Sequence, residues 1–219
     1  MKYKYVMFDF DNTTVDSLDY WHRVMQKEAF IDFGVKIDKS FKHQMTKLNN
    51  NDKAERFIEI TGINASVQDV RDYWDKRMAY YYCNKVKLLK GIIPFLESLK
   101  SQGYKIVLVT ASEQGVIDIA IKHFGLDVFY SDEITETEMG YPKSDVRFFE
   151  NLLKYLKVKP SELLFFEDFA KSVENAHSVG IDCVGVIHHI NKDKKSILEN
   201  NAKLVIKNYK DKRLKSLFN

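Results

Sequence analysis

Short apolar segments alternate with helix-length amphipathic segments along most of the chain, and this alternation constrains the fold more than any other feature. The apolar segments predict strands at residues 3–10, 105–111, 128–131, 163–167, 183–187 and 203–206. The amphipathic segments predict helices at residues 92–102, 113–124, 145–156 and 170–179, and three of these end just before a glycine. The pattern predicts an α/β fold in which a doubly wound parallel sheet is covered by helices.

One stretch, residues 17–89, breaks the alternation because it is helix-patterned almost throughout. One apolar face before Gly34 consists of Trp21, Val24, Met25, Phe30 and Phe33. A second face behind a Ser66/Asp69 capping pair consists of Val67, Val70, Trp74, Met78 and Tyr81. We therefore predict two domains, an α/β core at residues 1–16 and 90–219 and an inserted helical domain at residues 17–89, with the aromatic side chains packed inside the helical domain.

Length and charge exclude several classes of protein. The 219 residues suffice for one or two domains, and the net charge of +3 is too weak to indicate a nucleic-acid partner. The apolar runs are strand-sized, far short of the roughly 20 residues of a membrane span. The first eight residues lack the apolar region of a secretory signal. We expect a cytoplasmic protein without a membrane or nucleic-acid partner, and a monomer because no long heptad run is present.

Two carboxylates follow the first predicted strand, one residue apart. Alternation along an extended chain places Asp9 and Asp11 on the same side, where their charges repel unless a cation or a proton lies between them. In an open parallel sheet, ligands bind at the carboxyl ends of the strands. The pair alone also fits an ordinary turn, since acidic residues are common there.

Polar side chains close two further predicted strands, and a lysine stands between these strands in the sequence. Thr110 and Ala111 end one strand with a hydroxyl group and a small residue, which suits close approach of phosphate oxygens. Glu167 and Asp168 end another strand and offer hard oxygen ligands to a magnesium ion. Lys143 opens a helix and can neutralise a phosphate group. Their shared position at strand ends indicates a common site.

These motifs together resemble those of the haloacid dehalogenase superfamily, in particular its phosphatases and β-phosphoglucomutase-like members with a helical cap. Residues 9–13 are similar to the first motif, Asp-x-Asp-Gly-Thr, and Thr110 matches the second. Lys143 resembles the third motif, and residues 167–168 are similar to the fourth. Asn12 stands where glycine is usual, and asparagine tolerates unusual backbone angles. Phe169 replaces a common small residue and is expected to narrow or dry the site.

The resemblance implies a Rossmann-like core with the helical insertion as a cap over the strand ends, and a magnesium-dependent phosphohydrolase. Asp9 would attack phosphorus and form an aspartyl-phosphate, while Asp11 would act as general acid and then general base. The implied metal ligands are Asp9, the backbone carbonyl of Asp11, Asp168 and, through water, Glu167. The implied phosphate-binding groups are Thr110, the Ala111 N–H and Lys143. The substrate would be a small phosphorylated metabolite.

Two alternatives to the phosphatase stay open. A phosphomutase similar to β-phosphoglucomutase would need a cap histidine and basic residues for a second phosphate, and the candidates are His22, Arg23, His43 and Lys47. His22 falls one residue late, which turns a helical side chain by about 100°. A catalytically inactive binding module predicts a missing catalytic or metal-binding residue, and none is missing. Halide cleavage is disfavoured because Asp11 supplies a proton that halide does not need.

Two adjacent histidines follow a predicted strand. A shared metal site is disfavoured for His188 and His189 because neighbouring residues on an extended chain point to opposite faces. We expect both in a solvated loop. The lysines after them are interspersed with acids and predict an ordinary solvated surface.

Overall fold

The computed structural model describes residues 2–36, 48, 50–189 and 191–218, and these form two compact units. The first unit consists of Met1–Asp16, Leu88–Ser112 and Phe124–Asn219, and the second of Ser17–Lys87 and Glu113–His123. Two of the candidate mutase residues, His43 and Lys47, lie outside the described residues.

The first unit is built on a parallel sheet. The strands are β1 (Tyr5–Phe8), β2 (Val15–Asp16), β3 (Lys87–Leu88), β4 (Lys105–Thr110), β5 (Tyr130–Thr135), β6 (Leu163–Glu167), β7 (Asp182–Val186) and β8 (Leu204–Ile206). Six of them form one sheet in the order β5-β4-β1-β6-β7-β8. Every neighbouring pair in this sheet runs parallel, so the predicted α/β class is confirmed.

Helices connect these strands and form most of the second unit. In chain order they are α1 (Leu18–Arg23), α2 (Ala29–Asp32), α3 (Asn50–Thr61), α4 (Val67–Asn84), α5 (Ile92–Ser101), α6 (Gln114–Phe124), α7 (Glu136–Met139), α8 (Val146–Leu156), α9 (Ala170–Ser178) and α10 (Lys195–Asn201). Within the described part of the chain, no helix combines the length and the apolar character that a membrane crossing requires.

Alternating residues of the central strands pack on opposite faces of the sheet, as a doubly wound fold requires. On one face, Met7 belongs to an apolar cluster that takes in buried residues of α8 and α9. On the other face, the Phe8 and Phe166 rings stack with their centroids 4.6 Å apart, and Phe95 of α5 contacts both rings. Both faces of the sheet are therefore covered by helices.

The strand order places the first strand at the point where the topology reverses. Successive crossovers lead from β1 to β4 and β5 on one side and to β6, β7 and β8 on the other. At such a switch point the neighbouring loops diverge and leave a crevice outside the carboxyl ends of the strands. Residues that follow β1, β4 and β6 are thus brought to one place.

The second unit is a helical bundle with an aromatic core. The Phe57 ring lies against Phe30 and Trp74, with centroids 4.9 and 6.0 Å away. All three side chains are buried, in agreement with the predicted packing. The predicted capping pair is present at the start of α4, where Ser66 accepts from the Asp69 N–H at 3.1 Å and the Asp69 carboxylate accepts from the Ser66 N–H.

The unit boundaries differ from the predicted domains at one helix and at residues 88–89, which group with the sheet. The predicted core range 90–219 includes residues 113–123, but these residues group with the helical bundle. An ion pair of 2.5 Å between Arg71 Nη2 and Glu113 Oε1 ties this helix to the bundle. That the bundle acts as a cap stays a prediction.

One predicted strand begins and ends too early in the sequence. Residues 128–131 were expected as a strand, but Phe129 N–H donates to the Leu126 carbonyl in a turn, and β5 runs from Tyr130 to Thr135. The acidic residues Asp132 and Glu133 lie within this edge strand, where one side meets solvent and charged side chains are tolerated. All six strands of the sheet, β5 included, overlap their predicted ranges.

Candidate active site

Asp9 is the first residue after β1 and is held at the strand end by backbone pairing. Its N–H donates to the Phe166 carbonyl of β6 at 3.0 Å. Its own carbonyl accepts from the Thr14 hydroxyl at 2.8 Å. The residue is 4% exposed, so its carboxyl group lies almost entirely out of water.

Lys143 brings a positive charge to this carboxyl group from the loop between α7 and α8. Its ammonium group lies 2.5 Å from Asp9 Oδ1 and 2.8 Å from Glu167 Oε2. The lysine backbone is fixed as well, since its N–H donates to Glu136 and its carbonyl accepts from Asn175. Burial lowers the pKa of Lys143, but the charges of Asp9 and Glu167 outweigh it and raise the pKa above its ordinary value. The side chain is therefore a fixed cation at neutral pH.

Glu167 has both of its carboxylate oxygens occupied by protein donors. Oε2 accepts from Lys143 and from the Ser172 hydroxyl, each at 2.8 Å. Oε1 accepts from the backbone N–H groups of Asp168 and Phe169 at 3.0 Å. A carboxylate bound in this way orients its neighbours, and it leaves direct metal coordination to other residues.

Three carboxylates share this small buried space with one ammonium group. Potential ligand oxygens of Asp9, Glu167 and Asp168 all lie within 4.8 Å of one another. Burial, followed by the charge of Glu167, raises the pKa of Asp9 and of Asp168 well above the ordinary range. With all groups ionised the cluster is short of positive charge, which a divalent cation would supply.

One oxygen of the cluster shows where such a cation fits. Asp9 Oδ2 is buried and has no hydrogen-bond partner among the described residues. A buried carboxylate oxygen without a donor is costly unless a cation binds it. The donor set is oxygen only, as Mg²⁺ prefers, so the residues present fit the metal that the resemblance implies.

The residues expected to bind phosphate lie at the end of the neighbouring strand. Thr110 ends β4 and is 1% exposed, and its Oγ1 accepts from the Ser112 N–H at 3.1 Å. The Ser112 hydroxyl donates to Asp11 Oδ2 at 2.8 Å, so this segment also orients the second aspartate. Ala111 lies between them and is half-buried. The roles assigned to Asp11, Thr110 and Ala111 stay predictions.

The turn after Asp9 depends on a residue in the left-handed region. Asn12 has φ 60°, which asparagine adopts more readily than most residues, so its replacement of glycine preserves the turn. The Tyr209 hydroxyl donates to the Thr13 carbonyl at 2.9 Å and anchors the turn from the far end of the chain. The Asn12 side-chain amide lies 3.4 Å from Asp168 Oδ2, a contact that glycine cannot make.

Several residues of the site could not be identified from the sequence. Ser172 and Asn175 hold Glu167 and Lys143 from the first turns of α9, and their only sequence signal is their position just after the fourth motif.

The prediction that His188 lies in a solvated loop is wrong, because its Nε2 lies 2.9 Å from Asp168 Oδ2. His189 is exposed, as expected. Phe169 is 41% exposed, and its effect on the site stays a prediction.

Replacing Lys143 with methionine should destabilise the protein by about 3–5 kcal/mol at pH 7, because buried carboxylates then lack their cation. The unfolding free energy would be measured by urea denaturation with EDTA present. Lys171→Met is the matched control. Lys171 is half exposed in an ion pair with Glu174, so its loss should cost less than about 0.5 kcal/mol.

The difference in unfolding free energy between the wild type and Lys143→Met should also become smaller as the pH falls from 7 to 5. The raised pKa values of Asp9 and Asp168 mean that the folded state takes up protons before the unfolded state does, so acidification favours folding. Loss of the lysine charge, which lowers both values, strengthens this effect in the variant. A deficit that stays constant or grows on acidification would contradict the charge balance described here.

Comparison with known proteins agrees with this geometry. Residues 6–186 match the family described as Haloacid dehalogenase-like hydrolase, which is more than half of the chain. A solved β-phosphoglucomutase from Clostridium difficile superimposes with a TM-score of 0.74 at 20% identity, covering 99% of this chain and 96% of that one. At 20% sequence identity, this structural similarity shows that the two proteins share a fold.

Two curated relatives have names that state an activity. A phosphatase of phosphorylated carbohydrates from Thermotoga maritima is 23% identical over 203 residues, covering 92% of this chain and 93% of the relative. A GMP/IMP nucleotidase from Escherichia coli is 28% identical over 123 residues, and this match spans only about half of each protein, 52% and 55%. The family predicted from the sequence is confirmed: the chain belongs to the haloacid dehalogenase-like hydrolases.

Proposed function

We propose that this protein is a magnesium-dependent phosphohydrolase that cleaves a small phosphate monoester through an aspartyl-phosphate on Asp9. The observation that carries the proposal is the state of the Asp9 carboxyl group. It is buried at the switch point of the sheet, with Oδ1 against the Lys143 ammonium group and Oδ2 without a donor among the residues that the structure describes. Family membership and the names of the relatives support phosphate esters as the substrate class.

In the first step an Asp9 oxygen attacks phosphorus, and the bond from phosphorus to the ester oxygen breaks. The departing alkoxide takes a proton from the Asp11 carboxyl group, which the Ser112 hydroxyl orients. Asp9 is thereby phosphorylated, and the free alcohol leaves.

In the second step a water oxygen attacks the phosphorus of the aspartyl-phosphate. The water proton passes to the Asp11 carboxylate, and the bond between phosphorus and Asp9 breaks. Inorganic phosphate leaves, and both aspartates return to their starting protonation states. One side chain thus serves as acid and then as base, in two steps that replace one difficult displacement.

Negative charge on the phosphoryl group must be held in place during both steps. Lys143 supplies a fixed ammonium group, and Thr110 and the Ala111 N–H supply hydrogen-bond donors from the neighbouring strand end. The residues that would hold Mg²⁺ are Asp9, the Asp11 carbonyl and Asp168, with Glu167 behind them through water. When bound, Mg²⁺ supplies charge neutralisation and Lewis-acid stabilisation at the phosphoryl oxygens.

The substrate follows from the relatives only as a class, a small phosphorylated metabolite of the sugar phosphate or nucleotide type. We propose that the protein works as a cytoplasmic monomer. The second aspartate favours an ester over a carbon–halogen bond, because an alkoxide must be protonated as it leaves.

Phosphate release from a panel of phosphorylated metabolites and p-nitrophenyl phosphate tests the proposed function. The wild type should release phosphate with Mg²⁺ and not with EDTA. The rate of phosphate release by Asp9→Asn should be more than roughly 10⁴-fold lower, because an amide is not a nucleophile. Asp127→Asn makes the same change at an exposed position and should retain activity. If no ester releases phosphate, the proposal is overturned. If sugar phosphates are isomerised without release of phosphate, the protein is a phosphomutase.

Asp11→Asn should separate esters by their leaving groups. An alkyl phosphate should react roughly 10²–10⁴-fold more slowly, because its alkoxide needs a proton. With p-nitrophenyl phosphate the first turnover should persist as a burst of nitrophenolate, which departs unprotonated, followed by slow hydrolysis of the intermediate. Rapid-quench kinetics would show the burst. An equal loss of the first turnover for both esters would contradict a general-acid role for Asp11.

A further inference from the structure

His188 contacts the end of the carboxylate cluster from the loop that follows β7. Its Nε2 lies 2.9 Å from Asp168 Oδ2, and the two side chains are 17% and 13% exposed. When the Asp168 carboxylate is ionised, as a bound cation requires, it only accepts hydrogen bonds, and Nε2 then carries the hydrogen in this contact. The mechanism proposed above makes no use of this histidine.

The loop that carries His188 is tied to Asp168 by a second, independent set of hydrogen bonds. The Asn191 side-chain amide donates to the Asp168 carbonyl at 2.9 Å and to the Val186 carbonyl at 3.0 Å. Its side-chain oxygen accepts from the His188 N–H at 2.9 Å. Asn191 therefore fixes the backbone of the histidine relative to the backbone of the aspartate, and the histidine ring meets the carboxylate from a defined position.

The two donors near Asp168 act on the same oxygen. Asp168 Oδ2 lies 2.9 Å from His188 Nε2 and 3.4 Å from the amide nitrogen of Asn12. A carboxylate with one oxygen held by a donor cannot rotate freely, so its other oxygen keeps one direction. Metal ligands are commonly oriented by such outer partners.

We propose that His188 is a positioning residue that fixes the Asp168 carboxylate for a divalent cation. The inference rests on the metal site of the proposed function. His188 acts through Asp168 and makes no bond to the metal. Loss of the Nε2–H donor lets the Asp168 side chain leave its orientation, and the cation is then held less tightly.

Mn²⁺ binding to the purified protein tests this role without any substrate, using isothermal titration and electron paramagnetic resonance. His188→Leu removes the donor and should raise the Mn²⁺ dissociation constant roughly 10–100-fold. His188→Gln should stay within roughly threefold of the wild type, because its amide also donates. His177→Leu makes the same change at an exposed position on α9 and should bind as the wild type does.

Each other outcome overturns the proposal. Wild-type affinity in His188→Leu would show that the contact does not position Asp168. Equal losses in the leucine and glutamine variants, with unchanged thermal unfolding in EDTA, would show that the donor is irrelevant. Nitrogen hyperfine coupling to bound Mn²⁺ in the wild type would make His188 a direct ligand.

Failure of the proposed function gives a different result. If the wild type binds no Mn²⁺, the metal site itself is absent and both proposals fall. If it binds Mn²⁺ with the expected order of variants but hydrolyses no phosphate ester, the positioning role stands and the phosphohydrolase fails.

Discussion

Mutual repulsion among the carboxyl groups of Asp9, Glu167 and Asp168, of which the first two are buried and the third partly buried, is the constraint on which the rest of the site depends. Ionised carboxylates out of water are expensive, and the protein offsets them with one ammonium group at 2.5 and 2.8 Å. The sheet topology makes the arrangement possible, because β1 and β6 are neighbours and end together. The cluster still lacks positive charge, and we propose that a divalent cation supplies it.

Two elements that contribute neither a carboxylate nor a lysine to this cluster hold it in place. Helix α9 supplies Ser172 to Glu167 and Asn175 to the backbone of Lys143. The loop after β7 supplies His188 and Asn191 to Asp168. The carboxylates of Glu167 and Asp168 and the backbone of Lys143 are thus each met by a donor from a neighbouring element, which restricts their movement before any ligand arrives. Preorganisation of this kind is what an electrostatic site requires.

The sequence predicted the parts of the site that depend on local chain geometry. Asp9 and Glu167 lie at strand ends, and a strand end can be recognised from an apolar run that stops at a charge. His188 could not be predicted in this way, because its contact with Asp168 depends on where the loop after β7 turns. The second half of the edge strand β5 was missed for a related reason: its charged residues, Asp132 and Glu133, resemble a loop unless the strand is known to lie at an edge.

The central claim, that the carboxylate cluster is a divalent-cation site, is tested most directly by isothermal titration of Mg²⁺ into the wild type and Asp168→Asn. The account predicts one Mg²⁺ per chain in the wild type and strong weakening in the variant, because the amide keeps the shape of the carboxylate but loses its charge. Equal affinity in the two proteins, or no binding to the wild type, would contradict it.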